Sequence, residues 1–137
     1  AKAGRKREDI SLNCAIFVVT GKTDEEIQNN AILVKSQIAF YASTPSYEAV
    51  LEMHGWQEIG QRLNLMSRAG RWAEMWQEIS DEMLEEFAVV APEADLARKV
   101  KDRYTGLLDR IGYYFPFKPE ENDRQALWQD AAKVFTP

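Results

Sequence analysis

Residues Leu12 to Thr20, LNCAIFVVT, form an almost unbroken apolar run rich in β-branched and aromatic side chains. A run of that kind reads as a strand of parallel type, buried on both faces, so the rest of the chain has to cover it from two sides. Thr23 then stands three residues before Glu26, the capping-box spacing in which a hydroxyl and a carboxylate satisfy the first backbone donors of a helix. The unit reads strand, tight turn at Gly21, helix. Gly21, Lys22 and Thr23 also spell the end of a phosphate-binding P-loop. That loop needs another glycine five residues before Gly21, where this chain has Ile16 inside the strand. The glycine-rich cradle of backbone N–H groups cannot form there.

From Asp24 to Ala42 the positions Ile27, Ala31, Val34, Ile38 and Tyr41 recur in steps of four and three, one stripe of an amphipathic helix. Ser43, Thr44 and Pro45 interrupt it, and a second short helix can start at Pro45 with Tyr47, Val50, Leu51 and His54 inward, ending at Gly55. A third stripe, Trp56, Ile59, Leu63 and Met66, runs to Gly70, and a fourth, Trp72, Met75, Ile79 and Met83, follows it. Phe87 to Val90 is apolar but is cut by Pro92, and reads only as a strand-like lead into a helix over Glu93 to Tyr104. Arg110 to Phe117 is the second convincing strand, and Asn122 caps a last helix carrying Leu127, Trp128, Ala131 and Val134. Two parallel-type strands joined through helices indicate an α/β protein. A two-stranded parallel sheet buried on both faces cannot stand alone, which points to a fragment or to a second copy.

At 137 residues the chain has the size of one domain. No apolar run approaches the roughly 20 residues of a membrane helix, so no membrane span is expected. The net charge of −5 argues against a nucleic-acid footprint, and the short basic group Lys2, Arg5, Lys6 and Arg7 reads as a solvated helix end. The lone Cys14, inside the strand, allows no internal disulfide, reads as a buried small hydrophobe and suits a cytoplasmic setting. The chain begins without an initiating Met, which also suggests a fragment.

No catalytic constellation is complete in these residues. Glu78, Asp81, Glu82, Glu85 and Glu86 have helical spacing, but a bundle carboxylate site needs Glu-x-x-His pairs and His54 is the only histidine. A solvated face is the simpler reading, and no metal is expected. His54 sits beside a glycine helix stop and reads as packing or capping rather than a general base. Trp56, Trp72, Trp76 and Trp128 read as core.

The segments CAIFVVTGKTDEEI, QIAFYASTPSYEAVLEMHGW, FAVVAPEADLARKV and DRIGYYFPF, in that order, resemble the C-terminal portion of the luciferase-like flavin- and deazaflavin-dependent oxidoreductases. QIAFYASTP and LEMHGW resemble one actinobacterial-type deazaflavin subgroup in particular. The resemblance implies part of a (β/α)8 TIM barrel, a single partial domain over residues 1–137. Leu12–Thr20 would be the seventh strand, Asp109–Phe117 the eighth, and a helical insertion would occupy about residues 43–86. Relatives usually carry glycine where this chain has Ala91, which puts a left-handed backbone there in doubt. The resemblance further implies an oxidoreductase or monooxygenase using deazaflavin (coenzyme F-420), or alternatively FMN, on a small organic substrate. The ring-holding residues would lie mostly on earlier strands, so this chain alone would be inactive. Barrel chemistry sits at the carboxyl ends of strands, and Thr20, Gly21, Tyr114, Phe115 and Phe117 fall at that rim as cofactor-binding candidates. The competing class is a stand-alone, non-catalytic helical interaction module. Open apolar edges on the two strands predict a homo-oligomer.

Overall fold

The computed structural model describes residues 4–116, together with positions 129 and 132. Phe117 and most of the expected last helix lie outside the described residues. The apolar run forms β1 (Asn13–Val19), and Thr23 caps α1 (Asp24–Ala42). The Thr23 hydroxyl accepts from the Glu26 N–H at 3.2 Å, while the Glu26 carboxylate accepts from the N–H of Lys22, one residue before the cap. A 3-10 turn (Pro45–Tyr47), α2 (Glu48–Met53) and α3 (Gln57–Arg68) follow, with Gly55 and Gly70 at positive φ closing their ends.

The fourth stripe is not one helix. A 3-10 segment over Trp72–Glu78 stops at Ile79, and α4 (Asp81–Phe87) restarts because the Ser80 hydroxyl accepts from the Met83 N–H at 3.1 Å. Met75, Ile79 and Met83 are nevertheless all buried, so the apolar spacing survives the break. The segment after α4 corrects the sequence reading, since Ala88–Val90 is a true strand, β2. It pairs in parallel with β1 through Phe17↔Ala88 and Val19↔Val90. Three residues carry too little periodicity to announce a strand, and a neighbour's ladder makes them one. The Ala91 N–H donates to the Val19 carbonyl and prolongs this ladder, and no non-glycine residue among those described has a positive φ. After α5 (Glu93–Tyr104), β3 (Arg110–Tyr114) pairs with the other edge of β1, from Asn13↔Arg110 to Phe17↔Tyr114.

Among the described residues the sheet is therefore three-stranded, parallel, and ordered β2-β1-β3. Two expectations change with it. The sheet has three strands rather than two, and β1, expected to keep an open edge, is paired on both sides. In a barrel consecutive strands are neighbours, whereas here the chain passes from β2 back across β1 to reach β3. The two crossovers run in opposite directions over the sheet, and crossovers of one hand then place their helices on opposite faces. The two cores match this arrangement. Val19 and Ala88, with Phe17, pack against Val34, Ile38 and Ala39 of α1 and against Leu63, Met75, Met83 and Leu84. Ile16, Val18 and Val89 pack against Leu96 and Val100 of α5 on the other face, with Ile111, Tyr113 and Phe115 of the β3 strip.

Polar groups close the joints between these layers. Asp109 accepts from the Leu12 N–H at 2.7 Å and from the Arg7 guanidinium at 3.0 Å, tying the starts of β1 and β3 together. The Leu12 N–H and the Arg7 charge hold its carboxyl below the usual carboxylate range. Arg103 of α5 donates to the carbonyls of Glu85, Glu86 and Ala88, where α4 ends and β2 starts. Three inward expectations on α2 fail, because Tyr47, Val50 and His54 are exposed and only Leu51 is buried. A short helix at the margin presents one side chain to the core. Cys14, expected to be buried, is exposed near the start of β1.

Candidate functional site

The carboxyl end of β1 leads directly into two helix amino ends. Thr20 and Gly21 are buried there. The Thr20 carbonyl accepts from the Asn30 side chain of α1 at 2.8 Å, and the Gly21 carbonyl accepts from the N–H of Glu93, the first residue of α5, at 3.2 Å. Gly21 is required by close approach rather than by its φ. A Cβ on it would lie 2.7 Å from the Glu26 Cβ and 3.0 Å from the Ile27 nitrogen.

Converging helix amino ends favour anions, but both first turns already carry acids, Asp24, Glu25 and Glu26 on α1 and Glu93 and Asp95 on α5. The unusual group is Thr20 itself. The residue is 0 % exposed, and its Oγ1 has no hydrogen-bond partner among the described residues. A buried hydroxyl left in that state costs about 1–3 kcal/mol.

Tyr114 and Phe115 do not join Thr20 in one cavity. Successive strand residues point to opposite faces. Phe115 therefore lies on the α5 face, stacked on Tyr113 at 6.0 Å, while Tyr114 lies on the α1 face, edge-on to Phe17 at 5.1 Å. On that face Tyr114 borders a half-open cleft of about 400 Å³. Its other walls include Ala15 and Phe17 of β1, Tyr41 of α1, Tyr47 and Val50 around α2, and Phe87 of α4. Among the described residues no charged side chain lines it. These aromatic walls come from five separate elements, so no sequence pattern announces the cleft.

The remaining sequence candidates resolve as packing or surface. His54 stacks on Trp56 at 4.7 Å with its plane tilted by 14°, and meets Phe87 edge-on. Glu78 pairs with Arg62 and Asp81 with Lys35. Among the described residues no group of His, Cys, Asp and Glu could hold a metal ion, and no helix is long and apolar enough to cross a membrane. Trp56 packs partly buried against the core, whereas Trp72 is half exposed beside Phe40. Trp128 lies outside the described residues.

Sequence comparison supplies what this geometry leaves open. The profile of the luciferase-like monooxygenases matches residues 1–110. The chain belongs to the luciferase-like monooxygenase family. Uncharacterised proteins of Mycobacterium bovis and of two Mycobacterium tuberculosis strains are 40% identical to it over 111 residues, covering 81% of this chain and 33% of each relative. The chain thus spans about a third of the length of the curated relatives it matches. Luciferase-like proteins are barrels, whose chemistry sits at the carboxyl ends of the strands. Thr20 and Gly21 occupy that end of β1, while Tyr114 ends β3 alongside the middle of β1.

Proposed function

We propose that this chain forms part of the cofactor rim of an oxidoreductase that passes hydride between coenzyme F-420, a deazaflavin, and a small organic substrate, with FMN as the alternative cofactor. The family membership supports the reaction class, and the buried Thr20 hydroxyl, without a hydrogen-bond partner among the described residues, is the observation that supports a cofactor contact in this chain. A bound deazaflavin or flavin supplies the hydride chemistry, and the protein supplies binding and orientation. Thr20 would donate its hydroxyl proton to an acceptor atom of the cofactor, which removes the cost of its burial. Gly21 lets α1 start close beneath that point. Tyr114 and Phe115 lie on opposite faces beside the middle of β1, so the proposed contact rests on Thr20 and Gly21. The chain by itself is inactive in this reading, because it spans about a third of the length of the relatives it matches and a barrel's cofactor cleft draws on all its strands. A cytoplasmic setting and homo-oligomeric assembly complete the proposal, resting on the lone Cys14 and on the edge strands β2 and β3.

Replacing Thr20 by Val in the whole luciferase-like protein tests it. The variant should bind F-420 about tenfold more weakly, the size of one hydrogen bond, while the cofactor-free protein should be as stable or more stable because a buried orphan is gone. Unchanged affinity for both F-420 and FMN would overturn the cofactor contact. This chain alone should bind neither cofactor more tightly than about millimolar, a weak affinity worth only about 4 kcal/mol.

A further inference from the structure

The outer edge of β2 is occupied by side chains. Ala91 turns its N–H to β1, donating to the Val19 carbonyl. In a parallel ladder every second residue pairs with the same neighbour, so Val89 and Ala91 face β1, while Ala88 and Val90 turn their backbone groups away from it. Outward carbonyls of this kind are what an arriving strand pairs with. Both are already taken. The Lys99 ammonium donates to the Val90 carbonyl at 3.0 Å, and the Arg103 guanidinium donates to the Ala88 carbonyl at 3.0 Å.

The spacing of the two cations matches the spacing of the two carbonyls. Lys99 and Arg103 stand four residues apart on α5, a rise of about 6 Å along one helix face. Ala88 and Val90 are two residues apart on a strand, about 6.6 Å. α5 runs back along β2, so the earlier helix residue meets the later strand residue. Arg103 also donates to the carbonyls of Glu85 and Glu86 at the end of α4, which holds its guanidinium in place. Among the described residues neither cation pairs with a carboxylate, because Arg98 of the same helix takes both Asp95 and Asp102.

We infer that Lys99 and Arg103 form an edge lock, which closes β2 to the strand of a second copy. Ala88–Val90 itself carries neither charge nor proline to deter pairing, and two of its three residues are valines that favour strands. An arriving strand would have to displace both side chains before its own N–H groups could reach the ladder. Of the two edge strands on which the homo-oligomeric reading draws, β2 is thereby shut to backbone pairing. The lock stands apart from the cofactor contact at Thr20 and does not depend on it.

Sedimentation equilibrium of the full chain over a concentration series tests the lock. Lys99→Met combined with Arg103→Met keeps much of the aliphatic bulk and removes the donors. That variant should self-associate about tenfold more tightly than the native chain, the equivalent of one added hydrogen bond. Val90→Pro added to it should return association to the native level, since a proline there removes an outward N–H and leaves the β1 ladder intact. Native-level association of the double variant would overturn the lock. Tighter association that survives Val90→Pro would overturn it as well, because the copies would then be joining elsewhere. Arg103 also secures the end of α4, so Lys99→Met alone, which frees only the Val90 carbonyl, is the second variant. It should keep the native circular dichroism spectrum and show the same tightening to a smaller degree, again reversed by Val90→Pro, and no tightening in it would count against the lock.

Discussion

The α1 face of the sheet is one surface with two fates. Over β2 and the carboxyl half of β1, Val19 and Ala88 lie beneath α1, α3 and α4, and Val34, Leu63, Met75 and Met83 around them are buried. Over β3 and the amino half of β1, Ala15, Gly112 and Tyr114 are exposed and the space above them is open among the described residues. The strand that crosses both halves is almost uniformly apolar. Apolar sequence therefore states that a surface has to be covered, while the placement of the covering helix decides where coverage falls.

The strongest way to break that contrast is to empty the covered half. Leu63→Ala removes a side chain with no exposed surface at the centre of the larger core. It should lower unfolding stability by about 2–5 kcal/mol in urea denaturation, with the spread set by how far the cavity collapses. A loss below about 1 kcal/mol would mean that α3 is not firmly seated on α1.

Two glycines sharpen the contrast at smaller cost. Gly21→Ala pushes a methyl group into Glu26 and the backbone at Ile27, so a destabilisation of about 1–3 kcal/mol is expected. Gly112→Ala meets nothing within 4 Å and should change stability by no more than about 0.5 kcal/mol, as surface substitutions do. Equal losses at the two positions would show that the β3 half is packed as closely as the β1 turn.

The smallest effect concerns the opposite face. Burial pushes the Tyr113 phenol up to about 12 from its ordinary value of 10.0. The neutral phenol is favoured in the folded chain, so its contribution to stability is complete below about 10 and is lost as pH rises toward about 12. Ultraviolet titration of phenolate in the native chain and in Tyr113→Phe checks this. The substituted chain should lack the late-titrating phenol and should lose less stability over that alkaline window.

The amino-acid sequence carries the local chemistry by itself. α1 runs from Asp24 to Ala42 because Thr23 caps it and Ser43, Thr44 and Pro45 stop it, and Gly55 and Gly70 end the next helices at positive φ. Leu96 and Val100 are readable as the inward stripe of α5, and both are fully buried. The family is legible in the order of four segments, and the matched profile supports it over residues 1–110. Each of these signals acts over a few residues or is carried in the order of residues along the chain.

What only the tertiary structure decided depends on partners far along the chain. Ala88–Val90 is a strand because β1 offers it a ladder, and β3 lies beside β1 rather than β2 because the chain crosses back over the sheet. That crossing puts α5 on the opposite face from α1, and the pleat of β3 then sends Tyr114 and Phe115 to different sides. The pairing of Ala15 with Gly112 opens the cleft, and the closure of β1 against two helix starts leaves the Thr20 hydroxyl buried without a partner among the described residues. Register and crossover direction follow from the energy of the whole assembly of contacts, which no window of neighbouring residues contains.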